Sequence, residues 1–337
     1  MKHLNFLWAA LLLLAFAACS DDDEPVTPPG EENIASQFDP KFAAKLLLRG
    51  YIDNVRHITR AEVDTITILD VSALGTGLEE EDFEMEKGLT SLKGIEYFTS
   101  LIYLDCSKNP LVTLDVSQNT ALKWLRCNNA SLISLDVSGN AALETLQCEN
   151  NSLASLDVSG NTLLTWLRCA NNQLTSLDVS QNTALIRLDC ENNRLSSLTL
   201  GQSNLEELSC HENKLTALDV SGCPALASIM CSDNRITSLD VSGCPTLRVI
   251  ICDNNRITSL DLSRNTSLYG LTCIGNQLTA LDVSRNTALT VLYCKDNPGR
   301  DGIFEVTLWP GGSLDVPWDS WEYDGQTVTV KFIENKE

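Results

Sequence analysis

Residues 164–182 read LTWLRCANNQLTSLDVSQN, and this stretch decides the fold. Leu167 is followed two positions later by Cys169, and Asn172 comes three positions after the cysteine. The same frame recurs along the chain, with 21 residues between successive cysteines except for one interval of 20. The ten cysteines are Cys106, Cys127, Cys148, Cys169, Cys190, Cys210, Cys231, Cys252, Cys273 and Cys294. Self-similarity at a fixed short period predicts a solenoid of stacked coils.

The spacing within the frame predicts which side chains are buried. Leu167 and Cys169 lie two positions apart, so on a strand both point to one side, which we expect to be the core. Trp166 and Arg168 then occupy the opposite face. Each copy adds one short strand to a parallel sheet, about 4.8 Å from the next strand. Because 21 residues leave little room for a helix, the other side of each coil is expected to be extended or rich in turns.

Two polar positions of the frame predict hydrogen bonds to the backbone. An inward asparagine follows nine of the ten cysteines and can bond backbone groups that the turn leaves unpaired. Ala130 replaces it in the second copy, which predicts a local weak point. The recurring Asp-Val-Ser step predicts a turn in which Asp and Ser cap backbone amides. Its aspartates are Asp115, Asp136, Asp157, Asp178, Asp219, Asp240 and Asp282.

The frame is the leucine-rich-repeat pattern, with cysteine at its third apolar position. The chain resembles bacterial surface leucine-rich-repeat proteins of the internalin type, particularly those with one cysteine per 21-residue repeat. The resemblance implies a buried cysteine ladder, recognition through a concave face, and a role in adhesion or receptor binding. We therefore predict a repeat solenoid with a curved parallel β-sheet, a turn-rich convex side, a short helical N-terminal cap and a small β C-terminal cap.

The first residues resemble a targeting signal. Lys2 precedes an apolar run of twelve residues, 7–18, which is too short for a membrane span of about 20 residues and is typical of a secretory signal. Small residues before Cys19 resemble a lipobox, so we expect lipidation of Cys19; an ordinary signal peptide is the alternative. The acidic run 20–24 resembles a lipoprotein export signal of some anaerobic Gram-negative bacteria, or else is a solvated tether. We expect an outer-membrane lipoprotein that faces the exterior.

The sequence predicts five segments. These are a lipoprotein signal peptide at 1–18, an acidic Pro-rich tether at 19–37, an N-terminal cap with degenerate half-repeats at 38–100, ten repeats at 101–309, and a β cap at 310–337. Within the caps, 38–50 has helical apolar spacing, 79–86 is an acidic loop, and Val328, Val330 and Phe332 alternate as on a strand. Residues 51–62 match a calcium loop only at Asp53, Ile58 and Glu62, so no bound calcium is expected.

Charge and motifs exclude several functions. The net charge of −21 argues against nucleic acid, because phosphate binding needs a basic face. The chain has three histidines, no C-x-x-C, no G-x-S-x-G, no H-E-x-x-H and no phosphate-binding loop. His211 lacks an evident nucleophile nearby. We therefore predict no enzyme activity, no cofactor, no metal site and no membrane contact beyond the N-terminal lipid.

The cysteines are expected to serve packing. A thiol in the strand position is most simply a small buried hydrophobe, and equivalent side chains about 4.8 Å apart suit packing better than bridging. Cys223 and Cys244 differ, because each replaces the asparagine of a turn, one repeat apart. These two could form a disulfide or could both remain unpaired.

Recognition can be encoded only at the outward positions of the strands. They define an aromatic–basic patch and an apolar patch. Trp and Arg are enriched at binding hot spots, while cross-strand packing is the alternative explanation. The aromatic–basic patch comprises Tyr103, Trp124, Arg126, Gln147, Trp166, Arg168 and Arg187. The apolar patch comprises Met230, Val249, Ile251, Tyr269, Val291 and Tyr293.

These patterns predict a non-enzymatic surface binding or adhesion lipoprotein whose partner is a host or bacterial surface protein. The predicted ligand-binding residues are Tyr103, Trp124, Arg126, Gln147, Trp166, Arg168, Arg187, Ile251, Tyr269 and Tyr293. The alternative is a glycan-binding surface lipoprotein of a nutrient-uptake system, in which Trp124 and Trp166, two repeats apart, stack on sugar rings.

Overall fold

The computed structural model describes residues 32–73 and 88–335. The chain divides into two compact units, Met1–Leu153 and Ala154–Glu337, which we call the N-terminal and C-terminal units. The predicted signal peptide, Cys19, most of the tether and the acidic loop 79–86 lie outside the described residues. None of the helices among the described residues has the length and apolar character of a membrane span.

The N-terminal unit begins with a helical cap. Helix α1 spans Pro40–Leu48; Asp39 caps its first turn by accepting hydrogen bonds from two backbone amides, and Pro at the first position needs no partner. Helix α2 spans Arg60–Asp64 and carries a capping box of Thr59 and Glu62. Glu62 thus serves helix α2, and its Oε1 also accepts the amide N–H of Asp53 at 3.3 Å.

The ordered cap starts earlier than the predicted end of the tether at residue 37. A 3-10 turn spans Ala35–Gln37, and the amide of Ile34 donates to the carbonyl of Ile58 at 2.8 Å. The side chain of Ile34 is buried with the cap. A single apolar residue in a polar run carries no periodicity, so the sequence pattern could not reveal it.

Four short strands follow in the N-terminal unit. They are β1 (Ile68–Asp70), β2 (Tyr103–Asp105), β3 (Trp124–Arg126) and β4 (Thr145–Gln147). Strand β1 pairs parallel with β2, β2 with β3, and β3 with β4, each in register. Residues 68–70 of the predicted N-terminal cap thus supply the first strand of this sheet. A second 3-10 turn spans Ile95–Tyr97 and adds Ile95 to the core.

The C-terminal unit continues the same repeat. Seven strands pair parallel and in register: β5 (Trp166–Arg168), β7 (Arg187–Asp189), β9 (Glu207–Ser209), β10 (Ser228–Met230), β11 (Val249–Ile251), β12 (Gly270–Thr272) and β14 (Val291–Tyr293). On the opposite side, β6 (Ser176–Asp178) pairs with β8 (Ser197–Thr199), and turns occupy most of the remainder. The predicted parallel sheet with a turn-rich other side is confirmed.

The ladder cysteines point into the core, as the spacing predicts. All ten are buried, and the leucine or isoleucine at the centre of each strand is buried with them. The thiol of Cys252 donates to the carbonyl of Thr272 in the next coil at 3.3 Å. Burial is the largest cause that raises the pKa of these thiols, to about 12 for Cys231 and Cys294. The thiols are therefore held neutral inside the protein.

The predicted asparagine ladder joins each coil to the one before it. Nδ2 of Asn255 donates to the carbonyls of Cys231 and Cys252 at 3.0 and 3.2 Å, and its Oδ1 accepts the amide of Ile236 at 2.9 Å. Asn193, Asn213, Asn234, Asn276 and Asn297 repeat this arrangement. Each side chain thus satisfies backbone groups of two successive coils.

The copy that lacks this asparagine is distorted. Ala130 is fully buried, and Oδ1 of Asn151 accepts both the Ala130 and Leu132 amides, at 3.2 and 2.8 Å. The following residue, Ser131, has a φ of 66°. Left-handed backbone is unfavourable for serine. The predicted weak point therefore coincides with local backbone strain.

The Asp-Val-Ser turns are also confirmed. The amide of Ser138 donates to Oδ1 of Asp136 at 2.9 Å, and Asp115, Asp219 and Asp240 accept the equivalent bond. Hydrogen bonds from Ser138 lower the pKa of Asp136. A second asparagine ends most of these turns and is buried; Nδ2 of Asn182 donates to the carbonyls of Val158 and Asn161.

Cys223 and Cys244 occupy the position of that second asparagine. Both are buried and carry free thiols. The thiol of Cys244 donates to the carbonyl of Val220 at 3.3 Å, and the thiol of Cys223 lies 3.4 Å from Oγ of Ser203. Burial raises the pKa of Cys244 to about 11. The thiol of Cys244 thus takes over a backbone contact of the kind that the asparagine amide makes elsewhere.

The C-terminal cap is a four-stranded sheet in the order β13-β15-β17-β16. Its strands are β13 (Ala280–Asp282), β15 (Ile303–Leu308), β16 (Ser320–Tyr323) and β17 (Gln326–Glu334). Strand β15 pairs with β17, so the cap begins before the predicted boundary at residue 310. Val328 is buried, whereas Phe332 at the end of the predicted alternation is exposed. The β cap itself is confirmed.

Candidate functional site

The outward face of the strands is where side chains remain available for a ligand. In each three-residue strand the middle residue is buried in the core, so the first and third residues project to the other side. In-register pairing lines up equivalent positions of successive repeats. The aromatic–basic patch is divided between the two units, and each half forms its own set of contacts.

Arg126 is the centre of the N-terminal half of the aromatic–basic patch. Its Nε donates to Oε1 of Gln147 at 3.0 Å, and its Nη1 lies 3.3 Å from Oδ2 of Asp105. Nη1 also donates to the hydroxyl of Tyr103 at 3.4 Å, and this bond is the largest cause that raises the pKa of Arg126. Gln147 is only 7% exposed. Gln147 therefore holds Arg126 in place, and its assignment to a ligand stays a prediction.

Trp124 is the most available aromatic side chain of that half. It is 37% exposed, and the ammonium of Lys123 lies 6.0 Å from its ring centroid. The same ammonium is 2.8 Å from Oε1 of Glu144. A ligand on this face would thus meet an indole beside a neutralised cation.

Asp189 organises the C-terminal half of the patch. This buried carboxylate accepts the indole N–H of Trp166 at 3.3 Å and lies 3.4 Å from Nε of Arg168 and 3.1 Å from Nε of Arg187. Arg187 also reaches Glu207 at 3.0 Å. The guanidinium carbons of Arg168 and Arg187 lie 5.8 and 5.5 Å from the Trp166 ring centroid. Trp166, Arg168 and Arg187 are therefore bound largely to one another.

The apolar patch is less self-contained. Tyr269, Val291 and Tyr293 are 48, 41 and 39% exposed, while Met230, Val249 and Ile251 are half-buried beside them. The register places Val249, Gly270 and Val291 in one row across β11, β12 and β14, and Ile251, Thr272 and Tyr293 in the next row. The apolar patch is thus continuous over neighbouring strands of the C-terminal unit.

Gly270 makes a notch in this patch. Gly270 is itself buried, and a Cβ at this position would make an ordinary contact with Cγ2 of Val249, at 3.9 Å. Valines stand on both sides, and Tyr269 precedes the glycine in the chain. The strand therefore lacks a side chain between the two valines at this position.

Sequence reasoning missed the carboxylates and the glycine that shape this face. The sequence analysis did not identify Asp105 as the anchor of Arg126, or Asp189 as the anchor of Arg168 and Arg187. The 21-residue period places Asp105 beside Arg126 and Arg168 beside Asp189, so the pairings could have been found from register. His211 lies at the strand edge, where its Nδ1 is 3.0 Å from Oγ of Ser209.

The described residues hold no group of three or more His, Cys, Asp or Glu side chains suited to a metal ion. Their outward face carries aromatic, apolar and paired charged groups. Its chemistry suits non-covalent recognition.

The comparisons with known proteins agree on the fold. The chain is similar to an internalin C2 from Listeria monocytogenes, with 21% identity, 75% of this chain and 100% of that chain covered, and a TM-score of 0.53. The chain has an internalin-like leucine-rich-repeat fold. A plant receptor kinase ectodomain, GASSHO1/SCHENGEN3 from Arabidopsis thaliana, solved in complex with CASPARIAN STRIP INTEGRITY FACTOR 2, gives 22% identity, coverage of 74% and 31%, and a TM-score of 0.56.

A third similar structure is the functional domain of InlJ from Listeria monocytogenes, which includes a cysteine ladder. It shares 29% identity, with 80% of this chain and 72% of that chain covered and a TM-score of 0.45. No protein-family model and no curated protein matches the chain.

Proposed function

We propose that this leucine-rich-repeat protein is a non-enzymatic binding protein that recognises a protein partner through the apolar patch of its C-terminal unit. The observation that carries the proposal is the exposure of Tyr269, Val291 and Tyr293 around the Gly270 notch. Tyrosine is enriched among the hot spots of protein interfaces, and a contiguous exposed apolar patch marks an interaction site. Asp189, with the Trp166, Arg168 and Arg187 side chains that it binds, would form a preformed polar border of this interface.

A glycan-binding role for Trp166 has less support. Sugar stacking needs an open indole face, and two guanidinium groups already approach this ring. Its N–H is also engaged by Asp189. The glycan alternative therefore depends on Trp124 in the N-terminal unit.

Replacing both tyrosines is expected to weaken partner binding by about thirtyfold, because two hot-spot side chains would lose about 2 kcal/mol of contact energy. A photo-crosslinking residue at position 293 would first identify the partner on cells. The dissociation constant of the purified partner would then be measured for wild type and Tyr269→Ala/Tyr293→Ala.

Leu163→Ala provides the control, because Leu163 is an exposed leucine of the same unit that lies outside the strands. It should bind like wild type. Equal affinity of the tyrosine variant and wild type would contradict the proposed interface.

We also propose that the chain is anchored to the outer membrane by a lipid on Cys19 and displayed to the exterior. The support is the leader sequence with small residues before this cysteine and the acidic run after it. The function then fits a surface-exposed receptor or adhesin.

Cys19→Ala is expected to move the protein from the membrane fraction to the soluble fraction and to abolish incorporation of labelled fatty acid. Both should be measured on fractionated cells, with Cys223→Ala as the control because Cys223 is buried in the fold. Protease added to intact cells should degrade the wild-type protein. Protection from protease would place the protein on the periplasmic side.

A further inference from the structure

A row of cations runs along one flank of the C-terminal unit. The residue after each ladder asparagine is basic in four successive coils: Arg194, Lys214, Arg235 and Arg256. All four are exposed. The equivalent positions are neutral at Pro110, Ser131 and Ser152 in the N-terminal unit and at Gln173 in the C-terminal unit.

Backbone hydrogen bonds stack these four residues in register. The amide of Lys214 donates to the carbonyl of Leu195, which directly follows Arg194. The amides of Arg235 and Arg256 donate to Leu215 and Ile236 in the same way, at 2.8 Å each. Successive cations therefore follow one another at the spacing of neighbouring strands, about 4.8 Å.

None of the four cations has a carboxylate oxygen within ion-pair distance in the described part of the C-terminal unit. Glu212 and Asp233 lie two residues before Lys214 and Arg235, but Oδ1 of Asp233 accepts a hydrogen bond from Asn254 at 2.8 Å. Like charges aligned on neighbouring strands repel. Gln277 occupies the same position in the next coil, so a neutral side chain would satisfy the fold.

A row of hydroxyls accompanies the cations. Each basic residue is followed by a buried Leu or Ile and then by an exposed hydroxyl, so the cation and the hydroxyl share the outer side. The hydroxyl residues are Ser196, Thr216, Thr237 and Thr258. We call the row formed by Arg194, Lys214, Arg235 and Arg256 the basic stripe.

We propose that the basic stripe binds an anionic polysaccharide, one that carries a carboxylate or sulfate group at regular intervals. Guanidinium and ammonium groups at a fixed spacing complement repeated anions, and the adjacent hydroxyls can bond sugar oxygens. Single-stranded nucleic acid is less suited, because its sites use aromatic stacking platforms beside the cations. The stripe has hydroxyls in that place. This site is separate from the apolar patch and does not depend on the proposed protein partner.

Binding to dextran sulfate and to polygalacturonate tests the proposal, with neutral dextran and a single-stranded oligonucleotide as comparison probes. Wild type should bind both anionic glycans at low salt and lose affinity as salt rises. Arg194→Gln/Lys214→Gln/Arg235→Gln/Arg256→Gln should reduce the affinity by about tenfold or more. Glutamine occupies the same position at 173 and 277, so this variant is expected to fold, as circular dichroism would verify.

A charge-matched pair of double variants distinguishes a site from general electrostatics. Arg235→Gln/Arg256→Gln should weaken binding, whereas Arg264→Gln/Arg285→Gln, at exposed turn positions of the same unit, should leave it unchanged. Equal loss in both doubles, no glycan binding by wild type, or stronger binding of the oligonucleotide would each overturn the proposal. Tyr269→Ala/Tyr293→Ala should retain full glycan binding, which separates this site from the protein-binding site.

Discussion

Raising the pH from 8 to 10.5 is expected to unfold the protein steeply, with a midpoint near pH 10. Six ladder thiols of the C-terminal unit have a pKa raised above the ordinary value of 9.0 because they are buried. The thiols therefore remain neutral in the folded protein, while the unfolded chain ionises them. Folding stability is complete below pH 9 and falls as the pH rises toward the folded pKa.

The size of the effect follows from the number of thiols. Each thiol that ionises only on unfolding lowers the free energy of unfolding by about 1.4 kcal/mol per pH unit, so six lower it by about 8 kcal/mol per unit above pH 9. Ordinary domains have about 5–15 kcal/mol of stability in total. About one pH unit above 9 would therefore unfold a C-terminal unit that has up to about 8 kcal/mol of stability.

Circular dichroism and denaturant titrations from pH 7 to 11, with a reductant present, would measure this loss. Cys190→Ala/Cys210→Ala/Cys231→Ala should lower the slope of stability against pH in the C-terminal unit by about 4 kcal/mol per pH unit. Arginine, lysine and tyrosine residues are the same in this variant and in wild type, so their titration cancels in the comparison. Identical slopes would show that the buried thiols do not control alkaline stability.

Asn255→Ala is expected to lower the free energy of unfolding of the C-terminal unit by about 4 kcal/mol. The substitution leaves the carbonyls of Cys231 and Cys252 and the amide of Ile236 without the side chain that satisfies them. Each buried polar group that loses its partner costs about 1–3 kcal/mol. Urea unfolding followed by circular dichroism would measure the difference.

Arg256→Ala is the matched control, because this neighbouring side chain is exposed and belongs to the basic stripe. Its effect on stability should remain within about 0.5 kcal/mol. If both variants lost the same stability, the ladder would add nothing beyond an ordinary surface contact.

The fold could be predicted because one frame repeats so many times. A leucine at 167 and a cysteine at 169 lie on the same face of a strand, and the fixed period then aligns the next copy in register. The hydrogen bonds of the ladder asparagines and turn aspartates could be predicted from their fixed positions in the repeat, because a buried amide needs backbone partners. Where the frame ends, prediction lost accuracy: Ile34 and strand β15 joined the caps through contacts that no period encodes.

The candidate site was harder to predict because it depends on which outward side chains bind one another. Gln147 and Arg126 were assigned to a ligand, yet they bind each other across β3 and β4. Trp166 shares Asp189 with two arginines. A list of exposed residue types cannot distinguish a free cation from one that a neighbouring repeat neutralises. The ligand assignments of all ten predicted residues stay predictions.

The ladder amide always reaches backwards, and this gives the C-terminal unit a direction. A coil is completed by the coil that follows it, so removing the last one would orphan the carbonyl and amide groups of its predecessor. Removing the first coil would only take one carbonyl acceptor from the asparagine side chain of the next coil. A duplicated repeat could be inserted between any two internal coils. The final coil instead depends on the C-terminal cap, where the indole N–H of Trp321 donates to the carbonyl of Asn297. During evolution such a chain can gain internal repeats, provided that it keeps its C-terminal cap.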